Sequence, residues 1–208
     1  VAWRQTHPGL QGVPLTYAGR LDPLASGKLL VLIGEECKRK EHYLGLDKAY
    51  DFSIVCGVGS DSGDVLGLLT PSPNRSVDGE VWRRVLSSLV GSITLPYPVF
   101  SSKPVAGKPL HTWAVEGRLD EIEIPTNTTT IYKLVLGECE ELSREDVYEG
   151  ALKKIESIPP VTEQRKALGN DFRRAAVRDS WRQWYDTAPP EATYTLVHCK
   201  MVCSSGTY

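Results

Sequence analysis

The chain has 208 residues, 41% hydrophobic and 24% charged, with 18 glycines, 14 prolines and a formal net charge of -2. That is long enough for one medium domain with a real core, and too ordinary for a disordered or collagen-like chain. No apolar run approaches the roughly 18–20 residues of a membrane span, and with no global positive field the charge alone points to a small-molecule enzyme.

Five cysteines, an odd number without a C-x-x-C pair, fit a reducing, intracellular compartment better than a disulfide framework. Residues 28–34 form a continuous apolar run and predict a buried strand, followed by a short charged helix or turn over 35–43. Phe52, Ile54, Cys56 and Val58 alternate at period two, which predicts a half-buried strand over 50–58. Ser, Asp and Gly dominate 60–67 and prolines punctuate 70–78, so both read as loops.

Val81, Trp82, Val85, Leu86, Leu89 and Val90 recur at helical spacing, with Ser76 or Asp78 as N-cap and Gly91 as terminator. Three prolines make 96–104 extended or turning, and 108–117 reads as a short helix. Residues 122–139 are β-rich. A helix is predicted over 143–158, opened by a capping box from Ser143 to Asp146. Residues 161–185 read as a polar, basic helical stretch, and 193–202 as a strand. The expected fold is mixed α+β with a helical segment inserted before its last strand.

The segment Tyr17-Ala18-Gly19-Arg20-Leu21-Asp22-Pro23-Leu24-Ala25-Ser26-Gly27 stands out. Two glycines bracket a tight loop, and Pro23 biases Asp22 to extended geometry. Such a carboxylate can act as nucleophile or base, or simply cap the turn, and Arg20 lies within reach of a phosphate. The segment resembles the signature loop of the pseudouridine synthases of the TruB-like family, in which the catalytic aspartate falls on Asp22 here. Asp47-Lys48-Ala49-Tyr50 resembles that family's Asp-Lys-x-Tyr block, and Gly57, Ser60-Asp61-Ser62, Asp64 and Gly67 resemble its Gly-x-x-Thr-Asp-Thr-x-Asp-x-x-Gly loop, with serines for both threonines. Residues 97–108 are similar to its Pro-x-(Tyr/Phe)-Ser-Ala-x-Lys-x-x-Gly block, with Ser102 for alanine and Lys103 one position early. Ser205-Gly206-Thr207-Tyr208 resembles the start of its Gly-Thr-Tyr-x-Arg motif.

The chain also departs from the pattern. The motif's arginine, which pairs with the catalytic aspartate, would fall two residues after Tyr208, and a Lys-Pro-x-Gly block would precede Val1. The family's histidine five residues before the aspartate is Tyr17 here, and its RNA-binding PUA domain has no counterpart. Residues 143–192 form a longer segment, resembling the insertions of eukaryotic, especially fungal, tRNA pseudouridine-55 synthases. The expectation is a single, partial catalytic domain over 1–208, cut short at both ends. Its fold would be a mainly antiparallel central sheet of the pseudouridine synthase type, with flanking helices and the 143–192 insertion.

The resemblance implies conversion of uridine to pseudouridine in the tRNA T-loop, by base flipping and without metal or cofactor. Asp22 and Tyr50 would be catalytic, Tyr50 stacking on the base. Whether Asp22 attacks the ribose or assists deprotonation is left open. Tyr17, Arg20, Asp61, Lys103 and Tyr208 would meet the RNA. Arg173, Arg174 and Arg178, beside Trp181, Trp184 and Tyr185, are further basic candidates, with a solvated helix face as the alternative. The expected partner is the tRNA T-arm, met by a monomer away from membranes, in the nucleus or mitochondrion of a eukaryote or otherwise the cytoplasm. Two other readings stand beside it: a non-catalytic RNA-binding or RNA-folding module, and a guide-RNA-dependent relative. His198, Cys199 and Cys203 do not close a zinc site.

Overall fold

A computed structural model describes residues 6–72, 78–158 and 173–207, and the chain divides into two compact units, Val1–Asp47 and Lys48–Tyr208. In the amino-terminal unit, β1 (Leu15–Ala18) and β2 (Leu30–Ile33) pair antiparallel as a two-stranded sheet. A 3-10 turn (Gly34–Arg39) runs directly into α1 (Lys40–Leu44). The apolar run at 28–34 is therefore not a buried strand. Of β2 only Leu32 is buried, because among the described residues the strand pairs with β1 alone and leaves Leu30, Val31 and Ile33 exposed.

The larger unit is built on a four-stranded antiparallel sheet. Its strands are β3 (Lys48–Val55), β6 (Gly91–Pro96), β9 (Thr126–Ser143) and β10 (Thr193–Cys203), in the spatial order β3-β10-β9-β6. Between them lie β4 (Gly59–Ser60) with β5 (Leu69–Thr70), and β7 (Pro104–Val105) with β8 (Lys108–Pro109), each pair a small hairpin. The described residues of this unit also form four helices: α2 (Gly79–Ser88), α3 (Leu110–Val115), α4 (Arg144–Ser157) and α5 (Arg174–Thr187). The fold is mixed α+β, as the sequence implies.

One core gathers Cys56, Leu86, Val197 and Cys199, with Phe52, Ile54, Trp82, Leu134 and Leu136 around them, so α2 covers one face of the sheet. Asp78 opens α2 by accepting from the Glu80 N–H at 3.0 Å, while Ser76 lies outside the described residues. A second core joins Val147, Ala151 and Ile155 of α4 to Val177 and Trp181 of α5 and to Tyr194. The α4 residues recur every fourth position, one stripe of an amphipathic helix. Both halves of the Ser143–Asp146 capping box form. Arg144 then reaches across to donate to Tyr185 O at 3.2 Å and Ala188 O at 3.0 Å, satisfying carbonyls at the end of α5.

Three details differ from the sequence expectation. β3 stops at Val55, because Cys56 and Gly57 turn the chain, with Gly57 at φ 83°. Val58 consequently leaves the Phe52–Ile54–Cys56 face and packs in the α4–α5 core. α2 ends at Ser88, and Gly91 begins a strand, β6, that the patterning does not reveal.

The β7–β8 turn places Ala106 at φ 46° and Gly107 at φ 85°, the left-handed pair of a two-residue hairpin turn. Alanine is strained there, whereas asparagine tolerates the conformation. Ala106→Asn is expected to stabilise the protein by about 0.5–1 kcal/mol, read as a rise of a few degrees in Tm. A fall in Tm would refute it.

Candidate active site

Asp22 lies in the loop between β1 and β2, exposed, with its backbone oxygen accepting from Ala25 N at 2.9 Å. The turn follows from Pro23, and Gly19 at φ 80° lets the chain leave β1 sharply. Arg20 is exposed in the same loop. Tyr17, 46% exposed on β1, has the Lys40 ammonium 6.0 Å from its ring centroid, which ties α1 to the strand. The Lys38 and Arg39 charges nearby are paired with Glu35 and Glu36.

In the larger unit the register gathers several family blocks at one end of the sheet. Tyr50 stands opposite Met201 near the start of β3, where β10 finishes. Cys203 stands opposite Ile131 near the start of β9, and Pro96 at the end of β6 opposes Thr126. Tyr50 shares the strand face of Phe52 and Ile54 by period two, but lies beyond their core, with 41% of its surface open. The Ser204–Thr207 turn emerges beside it. Ser204 N donates to Thr130 O at 2.8 Å, Ser204 Oγ receives Thr130 N at 3.0 Å, and Asn127 Nδ2 donates to Gly206 O at 2.7 Å. Thr129, 5% exposed, hydrogen-bonds both Ser204 and Thr207. Tyr208 itself lies outside the described residues.

Asn127 and Thr129 escape the sequence reading. Their only signal is a polar run, Thr126-Asn127-Thr128-Thr129-Thr130, opening a strand that continues with Ile131 and Leu134.

The 97–108 block enters from the end of β6, with Tyr97 N donating to Pro125 O at 2.9 Å. Lys103 Nζ stands 4.4 Å from the Tyr97 ring centroid and 3.4 Å from its hydroxyl. Lys108 is occupied differently: it lies 3.7 Å from the Trp113 ring centroid and pairs with Glu116. The hydrogen bond from Lys108, aided by Arg118, holds the Glu116 carboxyl below its usual range.

The 60–67 loop shows why its residue types recur. Asp61 N donates to Leu68 O at 3.0 Å, and Asp61 Oδ1 accepts from Leu68 N at 2.9 Å. Asp64 Oδ1 accepts from Ser62 Oγ at 2.7 Å and from Leu66 N at 2.9 Å, while Ser60 Oγ donates to Asp64 O at 2.7 Å. Both serines thus use only the hydroxyl that a threonine also carries. A β-carbon on Gly67 would stand 2.4 Å from Ser62 Oγ and 2.7 Å from Asp61 Oδ1, so glycine is required by space.

Arg173 forms an ion pair with Asp61, and Arg178 makes two hydrogen bonds to Glu156, at 2.6 and 3.0 Å. The Glu156 carboxyl is held below its usual range first by Arg178, with Arg174 adding to the field. Arg165 and Lys166, of the basic stretch read over 161–185, lie outside the described residues. The aromatics beside these arginines are not a surface platform. Trp181 is 3% exposed and donates Nε1–H to Val65 O at 3.0 Å, Trp184 packs on the same core, and Tyr185 stacks on Tyr148. Helix amphipathicity turned them inward, and α5 is a core helix. His198 and Cys199 face opposite sides of β10. Cys199 is buried, whereas His198 is bonded to Ser53 and Glu140.

The profile of the TruB family pseudouridylate synthase (N terminal domain) matches residues 13–149, well over half of the chain. The chain belongs to the TruB family. It is similar to tRNA pseudouridine synthase 4 of Saccharomyces cerevisiae, 32% identical over 157 residues, or 73% of this chain and 36% of that protein. It also resembles tRNA pseudouridine synthase B of Caldicellulosiruptor saccharolyticus, 33% identical over 118 residues, covering 57% of this chain and 40% of the relative. The corresponding enzyme of Caldanaerobacter subterraneus is 36% identical over 121 residues, covering 58% of this chain and 42% of the relative. The chain thus spans about two fifths of the TruB relatives it matches. Within the TruB match fall Asp22, Tyr50, Asp61 and Lys103, while α5 and β10 lie beyond it. Among the described residues no helix is long and apolar enough to cross a membrane, and no group of His, Cys, Asp and Glu could hold a metal ion.

Proposed function

We propose that the chain carries the uridine-recognition and catalytic elements of a tRNA pseudouridine synthase acting on the T-loop at position 55. The observation that carries this reading is the gathering of Tyr50, the Ser204–Thr207 turn and the 97–108 block at one end of the sheet in a TruB-family chain. The reaction breaks the N-glycosidic bond of a uridine, turns the base and rejoins it through carbon. The base must leave its stack, at a cost of roughly a few kcal/mol, and an aromatic face is needed to receive it. Tyr50, open to solvent over two fifths of its surface, supplies that face.

Asp22 supplies the carboxylate at the ribose and base. Tyr17, Arg20, Asp61, Lys103 and Tyr208 line the RNA, with Arg20 and Lys103 offering positive charge to phosphates. Arg174 and Arg178 reinforce that field from α5. No metal or cofactor takes part, and the protein acts as a monomer inside the cell. Its domain is a single catalytic one, with residues 143–192 as an insertion.

The deciding experiment incubates the chain with tRNA transcripts tritiated at uridine C5. Tritium release stoichiometric with one T-loop uridine, without any guide RNA, is expected. Binding without release would convert the reading to a non-catalytic RNA module, and a guide-RNA requirement would move it to the guided relatives.

A further inference from the structure

Residues beyond 149 lie outside the TruB match, yet one side chain from that region is built into two of the family's blocks. Arg173 immediately precedes α5 at φ 57°, a left-handed conformation that a β-carbon disfavours. From there its Nη2 lies 2.5 Å from Asp61 Oδ2, and its Cζ lies 4.5 Å from the centroid of the Phe100 ring. The Arg173 side chain is only 16% exposed and that of Asp61 31%, against 75% and 86% for the surface pair Lys38–Glu35. Water therefore screens the Arg173 pair far less.

The geometry divides the work of one carboxylate. Asp61 Oδ1 closes its own loop by accepting from Leu68 N, and Oδ2 receives the guanidinium. Phe100 belongs to the 97–108 block, between Tyr97 and Lys103. A planar guanidinium can donate in its plane while resting a face on an aromatic ring, which an ammonium does poorly.

We infer that Arg173 is a positioning residue that locks the 60–67 loop to the 97–108 block, setting Asp61 and Lys103 in one arrangement for RNA. The RNA half of this inference rests on the proposed tRNA reading; the locking half does not. The left-handed backbone offers a clean test, because asparagine tolerates φ 57° and removes only the guanidinium.

Hydrogen exchange of individual amides is measured in the chain with Arg173→Asn and Arg173→Lys. Arg173→Asn should speed exchange at the Asp61 and Leu68 amides about tenfold, leaving those of β9 and β10 and the Tm unchanged. The lysine should restore part of the protection. In parallel, binding of a T-arm stem-loop RNA should weaken several-fold in Arg173→Asn and recover in part in Arg173→Lys. Unchanged exchange at Leu68 overturns the inference. So does faster exchange with undiminished RNA affinity, since the lock would then not serve binding. If the unsubstituted chain binds no T-arm RNA, the tRNA reading fails instead, and exchange alone decides the lock.

Discussion

Asp22→Asn is expected to abolish pseudouridine formation while tRNA binding stays within about threefold of the unsubstituted protein. The amide matches the carboxylate in shape, so the turn held by Asp22 O and Ala25 N survives. The side chain is exposed, and a surface change of this kind moves stability by no more than about 0.5 kcal/mol. What the amide lacks is the negative charge and basicity that a nucleophile or general base needs, and losing such a group removes roughly 10²–10⁴ in rate or more. Removing an anion beside a polyanionic ligand should not weaken binding. Tritium release and filter binding on the same preparations separate the two effects. Substantial isomerase activity in this variant would remove Asp22 from the chemistry.

Trp181→Ala should destabilise the larger unit by about 3–5 kcal/mol, a drop in Tm on the order of 10 °C. The indole is 3% exposed, packs edge-on to Trp184 with ring centroids 5.5 Å apart, and donates to Val65 O across the α5 contact with the 57–69 segment. Truncation leaves both a cavity and an unsatisfied carbonyl. By contrast, Arg178→Ala breaks the half-exposed pair with Glu156 and should cost less than about 1 kcal/mol. Thermal melts of the two variants check this ranking. If Trp181→Ala melted like the unsubstituted protein but lost RNA affinity, the indole would be a contact surface after all.

The loops of the candidate site were more legible in the sequence than the layers that hold them. The Asp22, 60–67 and 97–108 segments combine Gly, Pro, Asp and Ser at spacings set by local hydrogen bonds, and those bonds are short-range. The Ser62–Asp64–Leu66 contacts each join residues two apart. The misread elements depend on partners far away. β2 reads as buried because Leu, Val, Leu and Ile are contiguous, and nothing local reveals that β1 is its only sheet neighbour among the described residues. β6 is short, and its Ile93–Leu95 alternation is obscured by the prolines that follow. The basic residues of α5 suggest an RNA-facing helix, yet Val177, Trp181 and Trp184 turn one side of it into core. On the proposed reading the charge balance misleads for a related reason: a net value says nothing about where Arg20 and Lys103 stand.

The order β3-β10-β9-β6 has a kinetic corollary. Among the described residues β3 has no sheet neighbour except β10, and the Ser53–His198 contact between them spans 145 residues of chain. During synthesis β3 therefore waits, unpaired, until nearly all of the described chain has left the ribosome. Such distant pairing carries a high loop-closure cost and slows folding. The β3 edge, and the β9 edge that β10 will also fill, remain open to wrong partners throughout that interval. A nascent chain stopped before residue 193 would hold most of the family's signature loops and still lack the strand that joins β3 to the rest of the sheet.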